Sequence, residues 1–124
     1  MHLLLLAACL SDDAPPALSS TYDLPGDDLF PEGLAWSPTA RAFLTGSLST
    51  GALLTMNVEG DVTFLLAGGD GWSTLGVTFT SADDAVACAN HEDGRAALLI
   101  VPASGRDPST LALPDGVVCN DVAE

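Results

Sequence analysis

The residues of this chain best suited to chemistry are oxygen donors that stand at the start of apolar runs. Glu32 precedes Gly33-Leu34-Ala35-Trp36, and Asn120-Asp121 precedes Val122-Ala123. Carboxylate and carboxamide oxygens are the ligands that hard divalent cations such as calcium take. Converging from separate strands, the same groups make a concave polar site for a small molecule. A lone Glu before a glycine is also commonly just solvated, and an Asn-Asp pair can simply cap a strand, so register must decide. His91-Glu92-Asp93-Gly94 has a metal-like composition but falls between two strand patterns and reads as an exposed hairpin tip. No Gly-x-Ser-x-Gly elbow occurs, and Gly68-Gly69-Asp70-Gly71 lacks the Lys and helix of a phosphate-binding loop. The sequence has no Cys-x-x-Cys and no closely spaced His pair, which argues against structural zinc.

Register comes from a repeat. Glu32-Gly33-Leu34-Ala35-Trp36-Ser37-Pro38 returns as Leu75-Gly76-Val77-Thr78-Phe79-Thr80-Ser81, and begins again as Asn120-Asp121-Val122-Ala123-Glu124. Gly33 and Gly76 stand 43 positions apart, and Gly76 and Asp121 stand 45 apart. A period of about 40–50 residues made of strands is the pattern of a β-propeller blade. A blade needs neighbours on both faces, and roughly 4–8 blades close a ring around a channel. The fold expected is therefore all-β: a partial β-propeller of two four-stranded blades plus the first strand of a third, the front of a longer protein. Glu32, Leu75 and Asn120 become equivalent, each at the start of an inner strand and facing the channel mouth.

Eight strands follow from alternation and turn residues. In the first repeat they are Gly33 to Ser37, Arg41 to Thr45, Ala52 to Val58 and Val62 to Leu66, with Pro38 and Glu59-Gly60-Asp61 in turns. In the second they are Gly76 to Thr80, Asp84 to Ala89, Ala96 to Val101 and Ser109 to Leu113. The inner strands read as apolar runs covered on both faces. Val117 to Ala123 reads as the inner strand of a third blade. The blades span residues 31–67 and 74–113, with a third starting over 117–124, inside a propeller region of 23–124.

Charge narrows the partners. Seventeen acidic residues face three arginines, Arg41, Arg95 and Arg106, for a net charge of −14. A nucleic-acid binder needs a basic surface to displace counterions, so that class is excluded. The acid excess reads as a solvated surface, or as a preference for hard cations.

Residues 1–22 read as a lipoprotein-type signal and tether. Leu3 to Leu6 lead into Leu6-Ala7-Ala8-Cys9, which resembles the bacterial lipobox and makes Cys9 the candidate lipidation site. The run falls short of the ~20 apolar residues of a spanning helix. Export with a lipid anchor on a bacterial membrane, periplasmic or at the cell surface, is the expectation. Cys88 and Cys119 then remain. An oxidising compartment permits a disulfide between them, but their apolar strand contexts favour two small buried hydrophobes.

Two motifs carry a family resemblance. Phe30-Pro31-Glu32-Gly33-Leu34-Ala35-Trp36 resembles the opening of the senescence marker protein (regucalcin)/gluconolactonase family of six-bladed propellers. The segment from Leu113 to Ala123, Leu-Pro-Asp-Gly-Val-Val-Cys-Asn-Asp-Val-Ala, is similar to that family's Asn-Asp segment. The resemblance implies one divalent cation in the channel, calcium first, with zinc or magnesium as alternatives. It implies that Glu32 is a metal ligand and that Asn120, with Asp121 beside it, lines the substrate pocket. The remaining ligands would come from later blades. The implied activity is metal-dependent hydrolysis of a small-molecule lactone or ester, inactive in this span alone. The alternative is a non-catalytic propeller lipoprotein that uses the same mouth to bind a ligand or a protein.

Overall fold

The protein is described from a computed structural model, over residues 17–123. The lipobox-like run with Cys9 and the terminal Glu124 lie outside the described residues. Eight strands form: β1 (Pro31–Ser37), β2 (Ala42–Ser47), β3 (Leu53–Asn57), β4 (Val62–Leu66), β5 (Trp72–Phe79), β6 (Ala85–His91), β7 (Ala96–Val101) and β8 (Ser109–Ala112). They make two four-stranded antiparallel sheets, ordered β1-β2-β3-β4 and β5-β6-β7-β8. The fold is all-β, and no helix among the described residues is long and apolar enough to cross a membrane.

Local chemistry sets the turns. Arg41 and Asp83 take left-handed φ values of 51° and 62° to close the β1–β2 and β5–β6 hairpins. Asn57 organises the next turn, its Oδ1 accepting the N–H groups of Glu59 and Asp61. Both first strands are bulged where the repeat glycines stand, between Glu32 and Ala35 in β1 and between Thr74 and Val77 in β5.

The sheets pack on each other through Leu44 and Leu53 from the first and Val77, Ala85 and Ala87 from the second. Such apolar surface contributes about 25 cal/mol per Å² removed from water. The sheets approach most closely where Gly33, Gly46 and Gly51 leave room for β5. A polar staple crosses the same gap, where the buried Thr74 hydroxyl meets the turn between β2 and β3. At the far end of β1, the buried Ser37 hydroxyl donates to the Asp83 carboxylate at 2.5 Å.

Four expectations need correction. β1 was expected to be covered on both faces, but Leu34 is 71% exposed and Trp36 38%. Among the described residues the face holding them meets Tyr22 and its neighbours, with Tyr22 and Trp36 both against the Phe43 ring. Cys88 and Cys119 are not two free thiols but a disulfide, with Cα atoms 5.2 Å apart. Cys88 points from β6 to the face away from the first sheet, where the chain after β8 passes over it. Residues 117–123 run past that face without strand structure. Their apolar pattern satisfies one sheet face, but a strand also needs a ladder, and among the described residues their backbone bond to a sheet is Gly76 N–H to the Asn120 carbonyl at 3.1 Å. Finally, β6 continues through His91, so that residue ends a strand rather than occupying a hairpin tip.

Candidate functional site

The repeat glycines place the candidate residues side by side. Gly33 sits against the backbone of the second sheet: a Cβ there would lie 2.8 Å from the Leu75 carbonyl oxygen and 3.3 Å from the Gly76 Cα. Gly76 in turn sits against the third repeat unit, where a Cβ would lie 2.5 Å from the Asp121 Cα and 2.8 Å from the Asn120 carbonyl oxygen. Each unit therefore touches the next at the same repeat position. Only Gly accepts this approach, and Gly33 additionally needs its left-handed φ of 72°. The start of each unit, carrying Glu32, Leu75 and Asn120, is thereby stepped along one end of the molecule.

Glu32 is exposed on β1, opposite Gly46 across the ladder. Among the described residues its carboxylate has no hydrogen-bond or ion-pair partner. Asn120 is exposed, with its backbone carbonyl on Gly76. Asp121 is exposed and turns one carboxylate oxygen onto the Val122 N–H at 2.9 Å. Among the described residues no three His, Cys, Asp or Glu side chains lie close enough together to hold a metal ion. Glu32 thus offers one carboxylate rather than a ligand set, and the residues present do not by themselves fit a divalent cation.

The best-formed polar cluster lies elsewhere. His91 Nε2 donates to the Asp70 carbonyl at 2.6 Å, and Nδ1 lies between the Asp93 backbone N at 3.2 Å and the Asp93 carboxylate Oδ1 at 2.8 Å, accepting from the first when bare and donating to the second when it carries a proton. The His91 ring packs edge-on against Trp72, and the Arg95 guanidinium lies 5.5 Å from the Trp72 ring centre. Arg95 Nε also reaches both Asp93 carboxylate oxygens, at 3.0 and 2.8 Å. Desolvation pulls the Asp93 carboxyl upward, but hydrogen bonds from the Arg95 backbone and side chain and from His91, with the Arg95 charge, outweigh it. The pKa falls from 3.8 to about 2. The cluster borders a hollow of about 570 Å³ lined by Ser49, Trp72, Ser73, Asn90, His91 and Glu92 among others. His91 is therefore not an exposed turn residue, and its side chain is 13% exposed. The signal available was the pairing of Trp72 with His91, the end pair of the β5–β6 ladder, which required knowing that β5 starts at Trp72.

A second hollow, of about 520 Å³, lies on the open face of the first sheet, lined by Tyr22, Leu34, Phe43 and Met56. No family model and no curated protein matches the chain.

Proposed function

We propose that the two sheets are successive blades of a β-propeller of the gluconolactonase type, with residues 117–123 entering a third. The observation that carries this reading is the stepped contact of Gly33 on Gly76 and of Gly76 on Asp121. Two sheets related by a face-to-face sandwich would not hand the same position on to a third unit. The faces agree with this relation. Phe79 and Ala85, paired across β5 and β6, lie against the first sheet, and the matching pair Trp36 and Phe43 lies on the first sheet's open face.

On this reading the function is hydrolysis of a lactone or ester at the channel mouth. Glu32 would contribute one carboxylate toward a divalent cation, and Asn120 a carboxamide toward the substrate. This chain's own part is to hold Glu32 and Asn120 in step through the two glycine contacts. The lipobox resemblance adds export and a lipid anchor to the proposal.

A second reading is a non-catalytic ligand-binding propeller. It is favoured by the polar hollow at Trp72 and His91, whose aromatic wall and hydroxyl rim suit a small polar molecule. Both are tested by screening lactones and aryl esters with calcium, zinc and magnesium, beside a thermal-shift screen of the same compounds. Turnover by a protein that carries further repeats, abolished by Glu32→Gln, supports the hydrolase. Binding without turnover, lost in Trp72→Ala, supports the binder. Solution scattering incompatible with fan-like packing of the sheets would remove the shared premise.

A further inference from the structure

Residues 117–123 have no ladder partner among the described residues, yet they follow a defined course. Three attachments hold them, and all three converge on Cys119 and Asn120. The Cys119 sulfur is bonded to Cys88 in the middle of β6. The Asn90 carboxamide, two residues further along β6, grips the Cys119 backbone from both sides: Cys119 N–H donates to Asn90 Oδ1 at 2.9 Å, and Asn90 Nδ2 donates to the Cys119 carbonyl at 2.6 Å. Gly76 N–H then takes the Asn120 carbonyl.

A side-chain carboxamide can present one N–H donor and its C=O acceptor in a plane, as a residue of a neighbouring strand does with its backbone N–H and C=O. Asn90 therefore reproduces one rung of an antiparallel ladder for a segment that has no strand beside it. Apolar contact is modest, since Val117 is 40% exposed and Val118 76%. The apolar neighbours of the disulfide are Leu75, Leu98, Leu113 and Val122. With so little burial, the covalent and polar ties must supply most of the order.

We propose that the presentation of Asn120 and Asp121 is redox-gated. The Cys88–Cys119 disulfide, with Asn90 as a positioning residue, locks the start of the third repeat unit onto the second sheet, and reduction releases it. Reduction takes two electrons and two protons: a dithiol attacks one sulfur, the protein S–S bond breaks, both cysteines become thiols and the reductant becomes a cyclic disulfide. Cys88 is fully buried and Cys119 nearly so, so attack follows local opening of the segment and is slow in the folded protein. That Asn120 faces a substrate rests on the proposed function; the lock itself does not.

The test is residue-resolved amide hydrogen exchange on the full chain, oxidised and after treatment with dithiothreitol. Exchange of the Gly76 and Cys119 amides should rise about tenfold or more on reduction, while the β2 and β3 amides stay unchanged. Equal protection in both states overturns the proposal. If reduction unfolds the whole chain, Asn90→Ala with the disulfide intact decides: it should speed exchange at Cys119 and Gly76 alone, and no change there overturns the positioning role. The readout is order rather than turnover, so its failure is distinct from failure of the hydrolase reading.

Discussion

The Thr74 hydroxyl accepts the Ser47 N–H at 2.7 Å, joining the first strand of one sheet to the second strand of the other. It also donates to the Ala52 carbonyl at 2.8 Å, in a site with no solvent exposure. Thr74→Val keeps the shape and removes the hydroxyl, leaving buried groups short of a partner. The expected loss is about 1–3 kcal/mol. Thr74→Ser keeps the hydroxyl and loses a methyl group worth about 0.8 kcal/mol. Urea unfolding of the two variants separates the effects. Equal losses would show that burial alone matters at this position.

Gly76→Ala isolates the contact with the third repeat unit. Gly76 does not need a positive φ, so the cost comes from the Cβ meeting Asp121 and Asn120 backbone atoms. The expected outcome is displacement of residues 119–122 with both sheets intact. It should appear as faster exchange of the Gly76 amide and shifted resonances at Val122. Gly33→Ala should cost more, because strain at its positive φ adds to a clash with Leu75 and Val77 backbone atoms. Its damage should fall on packing between the sheets, read as a lower unfolding midpoint.

The sheets were legible because period-two alternation and turn residues are local signals. β4 and β7 fall where the alternation of Val62, Phe64 and Leu66 and the run from Ala96 to Val101 put them. The starts of β1 and β5 were not legible. Pro31 and Glu32, and Trp72 to Thr74, pair on the near side of the bulges, and a bulge hides the period. The Cys88–Cys119 bond was left open because pairing depends on where 117–123 crosses β6, a tertiary fact. Glu32 and Asn120 were visible as repeat positions, and the glycine contacts supply the steps between their units. Asn90 carried no sequence signal, since an Asn at a strand end usually belongs to a turn.

Asp93 should titrate near pH 2, against an ordinary value of 3.8. Its folded pKa lies below the unfolded one, so its interactions favour the fold above that ordinary value. They are lost as pH falls through about 2. Arg95→Ala removes the guanidinium bonds and the positive charge and should move the midpoint back toward the ordinary value. Carbon-detected NMR titration of the side-chain carboxyl measures both. A midpoint unchanged in the variant would leave the His91 and backbone bonds as the cause.

The open face of the first sheet should make the chain adhesive. Leu34, Trp36 and Phe64 are exposed on it, beside the hollow lined by Phe43 and Met56. Contiguous exposed apolar surface drives association, and sheet stacking has no built-in stop. Leu34→Glu on the bulged strand should lower binding of a hydrophobic dye and reduce light scattering at high concentration. Its effect on stability should stay within about 0.5 kcal/mol, as for exposed substitutions generally. A monodisperse wild-type protein that binds no dye would show that the face is covered in solution.

The metal reading makes a paired prediction. Glu32 supplies a single carboxylate, and hard cations need six to eight oxygen ligands, roughly, for tight binding. Calcium titrated into this chain should therefore bind only in the millimolar range or weaker, and Glu32→Gln should leave that unchanged. In a protein whose later repeats add ligands, Glu32→Gln should weaken binding strongly, because it removes the negative charge and keeps the shape. Asn120→Ala should instead spare cation affinity and impair turnover, since its carboxamide is assigned to the substrate side. Calorimetric calcium titration, run beside lactone hydrolysis, reads both effects. Micromolar binding by this chain alone, or unaltered binding by the Glu32→Gln variant of the longer protein, would remove Glu32 from the site.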